Sequence, residues 1–123
     1  MDSPLQPLVD ALRAFAAARD WEQFHTPKNL ACALSVEAAE LLEHFQWLTE
    51  AQSQTLTADK RQEVAAEAAD VFLYLLQLCD KLDIDLVAAA QAKMLVNAQK
   101  YPATLARGTA AKYTDLLTDL SPE

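Results

Sequence analysis

Two pairs of acidic residues lie within apolar helical stretches: Glu37 with Glu40, and Glu67 with Asp70. Residues three apart on a helix share a face, so both carboxylates of a pair point the same way. Acidic side chains are rarely buried unless they are paired or bind a metal, and two facing pairs would repel each other without a cation. Oxygen-only ligands suit Mg²⁺, Mn²⁺ or Ca²⁺ rather than zinc. The spacing therefore predicts a divalent metal site with four carboxylates.

Helical periodicity places one acid of each pair in an apolar stripe. Glu37 lies in line with Leu30, Leu34, Leu41 and Leu48, and Glu67 lies in line with Val64, Val71, Leu75 and Leu78. A stripe of this kind faces the core, whereas surface charges fall opposite it. Acidic residues three apart are also common on helices, so the alternative is that both pairs lie on solvated helix edges.

A third stretch carries cationic and amide side chains on one helical face. Lys93, Asn97 and Lys100 follow one another at steps of four and three, and Tyr101 comes next. Taken alone, this face is a solvated basic edge. Beside a carboxylate metal site it indicates a metal–polyphosphate substrate, because cationic and amide groups suit phosphate oxygens and magnesium usually binds through carboxylates and substrate phosphates.

The composition predicts an all-α fold that positions these groups. Gly108 is the only glycine among 123 residues, whereas sheets with tight hairpins need more glycine and more β-branched runs. Four helices are predicted: 4–18 with Ser3 as cap and Pro4 in the first turn, 26–47 beginning at Thr26-Pro27, 58–81, and one capped by Asp83 that ends at Lys100 before Pro102. Residues 49–57 are predicted as a loop, 1–102 as the functional domain and 103–123 as a peripheral or partly disordered tail.

The net charge of −8 argues against binding to nucleic-acid polymers or to membranes, because both surfaces are anionic. The chain has no basic start followed by an apolar stretch and no run of 18 apolar residues, so we expect a soluble, cytoplasmic protein. Both cysteines are expected to be buried free thiols, and four phenylalanines are expected in the core: Cys32 and Cys79, and Phe15, Phe24, Phe45 and Phe72.

These segments together resemble the all-α nucleoside triphosphate pyrophosphohydrolases of the MazG-like superfamily, and most of all its dCTP pyrophosphatase branch. The matching stretches are RDWEQFHTPKNL (19–30), EAAEL (37–41), FQW (45–47), EAADV (67–71), and the Lys-Met and Lys-Tyr-Pro segments at 93–94 and 100–102 with Asn97 between them. One departure is that Ser35 and Ala39 stand where the family often has glycines, which bears on substrate choice more than on metal binding.

The resemblance implies a four-helix bundle, assembled as a homo-oligomer, that splits a nucleoside triphosphate into a monophosphate and pyrophosphate. It implies dCTP or a modified dCTP as substrate, Mg²⁺ as cofactor with Mn²⁺ as a substitute, and a role in clearing the nucleotide pool. The implied metal ligands are Glu37, Glu40, Glu67 and Asp70, with Lys93 and Asn97 joining them in catalysis. The implied substrate contacts are Lys93, Asn97, Lys100 and Tyr101 at the phosphates or sugar, and Trp21, His25 and Trp47 at the base.

Two other functions are compatible with a helical chain of this size. A ferritin-like redox bundle holds its metals with Glu-x-x-His pairs, whereas the pairs here are Glu-x-x-Glu and Glu-x-x-Asp. A non-catalytic nucleotide-binding or helical interaction protein of the same fold would not need the complete set of acids.

Apolar residues surround most of the two acidic helices. The second predicted helix carries Leu42 and Phe45 off its main stripe, and the third carries Phe72, Leu73 and Leu76. One layer of four helices cannot bury two helices on most sides, so a second subunit is expected to cover them. The family resemblance favours a tetramer over a dimer.

Overall fold

The computed structural model describes residues 4–110 as helices joined by short connections, and these residues contain no strand. The all-α prediction is therefore confirmed. The helices are α1 (Gln6–Ala18), α2 (Pro27–Glu43), α3 (Glu50–Ser53), α4 (Ala58–Lys81), α5 (Leu86–Lys100) and α6 (Ala103–Ala106), with one turn of 3-10 helix at Glu22–Phe24. The described chain divides into two compact units, the first ending at Asp85 and the second beginning at Leu86.

Threonines start both helices that carry the acidic pairs. Thr26 Oγ1 accepts a hydrogen bond from the backbone N–H of Asn29 at 3.2 Å, and Pro27 follows in the first turn of α2, where a missing N–H leaves no bond unmade. Thr57 Oγ1 accepts from the backbone N–H of Lys60 at 3.2 Å at the start of α4. Both predicted starts are confirmed, and α4 has the predicted bounds.

The start of α1 differs from the prediction. The helix begins at Gln6, and Pro7 rather than Pro4 lies in its first turn. The rule that predicted Pro4 there applies to Pro7 instead, because an N–H in the first turn has no partner within the helix. The predicted cap Ser3 lies outside the described residues.

The second predicted helix is too long, and the predicted loop after it contains a helix. α2 ends at Glu43 rather than Trp47, and residues 44–47 continue as turns. α3 forms because Thr49 and Gln52 make a capping box: the Gln52 N–H donates to Thr49 Oγ1 at 3.1 Å, and the Thr49 N–H donates to Gln52 Oε1 at 2.9 Å. The Thr-x-x-Gln spacing of a capping box is visible in the sequence. The prediction of a loop was wrong because it overlooked this spacing.

An aspartate in the left-handed conformation lies two residues beyond the end of both α1 and α4, with φ of 53° at Asp20 and 54° at Asp83. The next N–H, from Trp21 or Ile84, donates to the carbonyl five residues earlier, at 3.0 and 2.8 Å. These bonds define a Schellman motif, in which a short polar residue can replace the usual glycine. Asp83 therefore ends α4 and is not the predicted cap of the fourth helix, which begins at Leu86.

The core of the first unit lies where α1 and α2 pack against α4. Its buried apolar side chains are Ala16, Leu30, Leu76 and Cys79. Cys79 is a buried free thiol as predicted, and burial raises its pKa. Cys32 is also free but is exposed, so the prediction of its burial was wrong.

Several large apolar side chains of the first unit remain exposed. Three predicted core residues, Phe15, Phe24 and Phe72, are among them, as are Val36 and Leu42 on α2. The core prediction was wrong for these phenylalanines because the packing of α1 and α2 against α4 leaves part of each helix surface uncovered. Within the described residues, no helix is both long and apolar enough to cross a membrane.

An ion pair ties α1 to α4. The Arg13 guanidinium contacts the Asp80 carboxylate through two nitrogens, and Nε donates to Oδ2 at 2.9 Å. The Arg13 hydrogen bond and charge hold the pKa of Asp80 below its usual range. The pair joins residues 67 positions apart in the chain. It holds α1 against α4, and side chains of both helices line the pocket described below.

Candidate active site

Three of the four predicted metal ligands meet between α2 and α4. One carboxylate oxygen from each of Glu37, Glu67 and Asp70 lies within 4.8 Å of the other two. Glu40 lies beside this trio, close enough to raise the pKa of both Glu37 and Glu67. The two acidic pairs therefore face each other, and we refer to these four residues as the carboxylate cluster.

Two oxygens of the cluster are buried without a hydrogen bond. Glu37 Oε2 and Glu67 Oε2 have no partner among the residues that the structure describes. A hydrogen bond with Glu67, burial, and the neighbouring Glu40 together raise the pKa of Glu37 to about 7. The same hydrogen bond lowers the pKa of Glu67, but burial, Glu40 and the charge of Asp70 outweigh it and raise that pKa overall. The group thus favours a shared proton when no cation is bound.

The cluster fits a hard divalent cation. Its donors are all carboxylate oxygens, the ligand type that Mg²⁺, Mn²⁺ and Ca²⁺ prefer. Oxygens within 4.8 Å of one another can share one ion at the usual metal–oxygen distance of about 2–2.5 Å. A cation would also provide an electrostatic partner for the two buried oxygens that have no hydrogen bond from the described residues.

A pocket of about 380 Å³ opens beside Asp70. Trp21 and His25 line it together with residues of α1 and α4, namely Leu8, Ala11, Leu12, Phe15, Leu73, Tyr74 and Gln77. The Trp21 ring packs edge-on against Phe15, with centroids 5.7 Å apart, and lies 6.4 Å from the His25 ring. The structure therefore brings two of the three predicted base-contacting residues to a pocket that a predicted metal ligand also borders.

The remaining predicted substrate-contacting residues are not among those that line this pocket. Trp47 does not line this pocket, and its side chain is 86% exposed. Lys93, Asn97 and Lys100 lie on α5 in the second unit, with Tyr101 directly after it. The Tyr101 N–H donates to the Asn97 carbonyl at 2.8 Å. Contacts of these four residues with phosphate or sugar stay a prediction.

Two polar residues of the pocket are absent from the sequence prediction. Tyr74 and Gln77 follow Asp70 on α4 at four and seven residues, so all three share a helical face. Gln77 Nε2 donates to the backbone carbonyl of Leu73 at 3.3 Å. The spacing from Asp70 could have identified both residues, but only the packing of α1 against α4 shows that this face borders a pocket.

The chain is similar to known proteins over most of its length. Residues 32–116 match the MazG-like family. The chain is 46% identical to dCTP pyrophosphatase 1 of Mus musculus and 44% identical to that of Homo sapiens, each over 119 residues that cover 93% of this chain and 70% of the relative. The crystal structure of a pyrophosphatase from Archaeoglobus fulgidus is similar with a TM-score of 0.66 and 42% identity, over 83% of this chain and 95% of that one.

Proposed function

Because the chain belongs to the MazG-like family, we propose that it hydrolyses a nucleoside triphosphate between the α and β phosphates, releasing a nucleoside monophosphate and pyrophosphate. The enzyme class predicted from the sequence is confirmed by relatives that are themselves dCTP pyrophosphatases and by the archaeal pyrophosphatase. The first-choice substrate is dCTP or a modified dCTP, and the role is removal of that nucleotide from the pool.

One observation carries this proposal: the carboxylate cluster lies next to a pocket with aromatic walls. Asp70 belongs to both, since it shares the oxygen trio with Glu37 and Glu67 and borders the pocket lined by Trp21 and His25. A nucleoside triphosphate needs such a pair of sites, one for its charged phosphates and one for its planar base. An aromatic surface beside a cation site meets both needs.

We assign the metal to Glu37, Glu40, Glu67 and Asp70, and propose Mg²⁺ with Mn²⁺ as a substitute. When bound, the cation would offset the charge on the phosphate oxygens and favour displacement at phosphorus. The chain's own contribution is to hold the carboxylates in place: α2 and α4 are packed together and each acid projects from a regular helix. Because the pKa of Glu37 is raised to about 7, holding a cation would require this carboxyl to give up its proton near neutral pH.

Glu40 is the proposed acceptor of the proton from the attacking water. It is half-buried and adjacent to Glu37 and Glu67, but it is not part of the trio whose oxygens converge within 4.8 Å. A carboxylate at the edge of a metal site keeps an oxygen available for a water molecule. Its position outside that trio supports this role in addition to its proposed share in holding the metal.

We propose that residues on α5 contact the phosphates. Lys93, Asn97 and Lys100 share one face of α5, and Tyr101 follows it. Ammonium and amide groups in this spacing suit several oxygens of a polyphosphate. Trp21 and His25 are proposed to contact the base from within the pocket, and the exposed Trp47 is proposed to contact it from a neighbouring subunit.

We also propose a cytoplasmic homo-oligomer, a tetramer before a dimer, built from four-helix units. Exposed apolar side chains in each unit support this assembly: Phe24, Val36, Leu42 and Trp47 in the first, and Met94 and Leu95 in the second. Exposed apolar patches mark interaction surfaces, and most soluble oligomers are symmetric assemblies of one chain. A cytoplasmic location matches the proposed nucleotide substrate.

The proposal is tested by identifying the products from dCTP. Purified protein is incubated with dCTP and Mg²⁺, and pyrophosphate, orthophosphate and dCMP are quantified over time, with EDTA in a parallel reaction. Equal amounts of dCMP and pyrophosphate, formed only with the metal, are expected. Orthophosphate as the first product would refute the cleavage position. Tight binding of dCTP without turnover would favour the non-catalytic alternative.

A further inference from the structure

The pocket beside Asp70 holds few groups that could distinguish one base from another. Six of its lining side chains are aliphatic or aromatic, and the remaining polar ones are His25, Asp70, Tyr74 and Gln77. In a mainly apolar pocket, a small number of polar groups sets the orientation and identity of the ligand. Asp70 belongs to the carboxylate cluster, so the choice of base falls to the other three.

Gln77 differs from His25 and Tyr74 because its side chain is held in one orientation. Gln77 Nε2 donates to the backbone carbonyl of Leu73 at 3.3 Å, and the residue is half-buried. A carbonyl oxygen can only accept, so rotating the amide by half a turn would place two oxygens against each other. The anchored amide leaves Oε1 available to accept a hydrogen bond and the second N–H of Nε2 available to donate one.

Helix geometry directs this amide toward the proposed metal site. Gln77 lies two turns after Asp70 on the same face of α4, about 10 Å along the helix axis. Side chains on a helix lean toward its N-terminus, which brings the amide group back over Leu73 and toward Asp70. A nucleotide with its phosphates at the cluster and its base in the pocket therefore extends along α4 toward Gln77.

We propose, resting on the function proposed above, that Gln77 is the residue that selects cytosine over uracil and thymine. Oε1 accepts a hydrogen bond from the 4-amino group of cytosine, and the second N–H of Nε2 donates to the ring nitrogen N3. Uracil and thymine present a carbonyl and an N–H at these positions, so each would place like against like. Turning the amide to suit them would break its bond to the Leu73 carbonyl.

The direct test compares dCTP with dUTP, which differ only at base positions 3 and 4. Values of kcat/KM are measured for wild type, for Gln77→Met, which keeps the side-chain length but removes both hydrogen-bonding groups, and for Gln62→Met as a control on an exposed position of the same helix. Gln77→Met is expected to lower the dCTP-to-dUTP ratio about tenfold or more, while Gln62→Met keeps it. An unchanged ratio in folded Gln77→Met overturns the assignment.

A substrate series in the wild-type protein avoids any dependence on the folding of the variant. The deoxynucleoside triphosphate of 2-pyrimidinone lacks only the 4-amino group and is expected to lose about tenfold in kcat/KM, whereas 5-methyl-dCTP keeps the amino group and the ratio to dCTP. Equal hydrolysis of dCTP, dUTP and the 2-pyrimidinone analogue, each with release of pyrophosphate, overturns the role of Gln77 but leaves the proposed function intact. Failure to release pyrophosphate from any of them overturns the proposed function and this inference with it.

Discussion

Glu37 on α2 and Glu67 on α4 each bury one carboxylate oxygen that accepts no hydrogen bond from the described residues, and the two side chains face each other across the helix interface. Burial of like charges in contact is unfavourable unless a proton or a cation lies between them. The stability of the fold should therefore depend on pH and on bound metal, and both dependences can be measured without an activity assay.

Replacing Glu67 with glutamine should weaken metal binding and remove most activity. The substitution keeps the size of the side chain and eliminates one charge, so we expect at least a tenfold loss of Mn²⁺ or Mg²⁺ affinity by calorimetry and no loss of thermal stability in EDTA. Glu63→Gln is the matched control, since Glu63 lies one turn earlier on α4 with its side chain 60% exposed. Full activity in Glu67→Gln would exclude Glu67 as a ligand.

The metal-free protein should lose stability as the pH rises toward neutrality. The pKa of Glu37 is raised to about 7 from its ordinary 4.5, so between these values the folded protein keeps a proton that the unfolded chain has released. The stability from this group is fully present below pH 4.5 and is lost as the pH rises through about 7. The free energy of unfolding, measured by urea denaturation in EDTA, should show this decline between about pH 5 and pH 8.

Two controls isolate the contribution of Glu37 to that decline. Glu37→Gln should be less sensitive to pH over the same interval, because its amide does not titrate. Saturating Mg²⁺ should stabilise the wild-type protein more at the high end of the interval, since metal binding requires the deprotonated cluster. A wild-type protein whose pH dependence in EDTA matches that of Glu37→Gln would contradict the assignment.

Trp21→Ala should weaken nucleotide binding more than it slows the chemical step. Stacking of one base on an aromatic ring is worth about 1–3 kcal/mol, so KM for dCTP is expected to rise about tenfold with a smaller change in kcat. Loss of the Trp21 contact with Phe15 is checked by comparing melting temperatures. A KM equal to that of the wild type would remove Trp21 from the base pocket.

Lys93→Met should reduce kcat/KM about tenfold or more, because a hydrogen bond to a charged group contributes about 1.5–3 kcal/mol. Lys93→Arg keeps the charge and should retain part of the activity. Lys28→Met is a suitable control, since Lys28 is an exposed lysine at the start of α2. Equal effects of the Lys93 and Lys28 substitutions would indicate general attraction of the anionic substrate rather than a phosphate contact.

Leu42→Glu should disrupt assembly without unfolding the chain. Leu42 is 60% exposed on α2, so a charge there costs little in one subunit but opposes burial against another. Light scattering should find the wild-type protein well above 13.5 kDa and Leu42→Glu at lower mass with its helical circular dichroism retained. A wild-type monomer with full activity would refute the oligomer.

Local signals explain which parts of the fold were predictable. Thr26-Pro27 and Thr57 start α2 and α4 because a side-chain oxygen can accept from an N–H three residues later, wherever the helix is placed. The aspartate that ends α4 was misread as a cap, since Asp83 suits both a left-handed residue and an N-cap. Such ambiguities are settled by the hydrogen bonds that the surrounding backbone makes.

The acidic pairs, their one-sided spacing and the family resemblance were determined by the sequence alone, because they depend on residue type and helical period. Only the tertiary structure decided three further relationships. They are the contact of Glu37 with Glu67, the position of Glu40 beside the oxygen trio, and the place of Gln77 in the pocket lining. These relationships depend on how α1 and α2 pack against α4. Helical periodicity gives the face of each helix but neither the register nor the angle at which two faces meet.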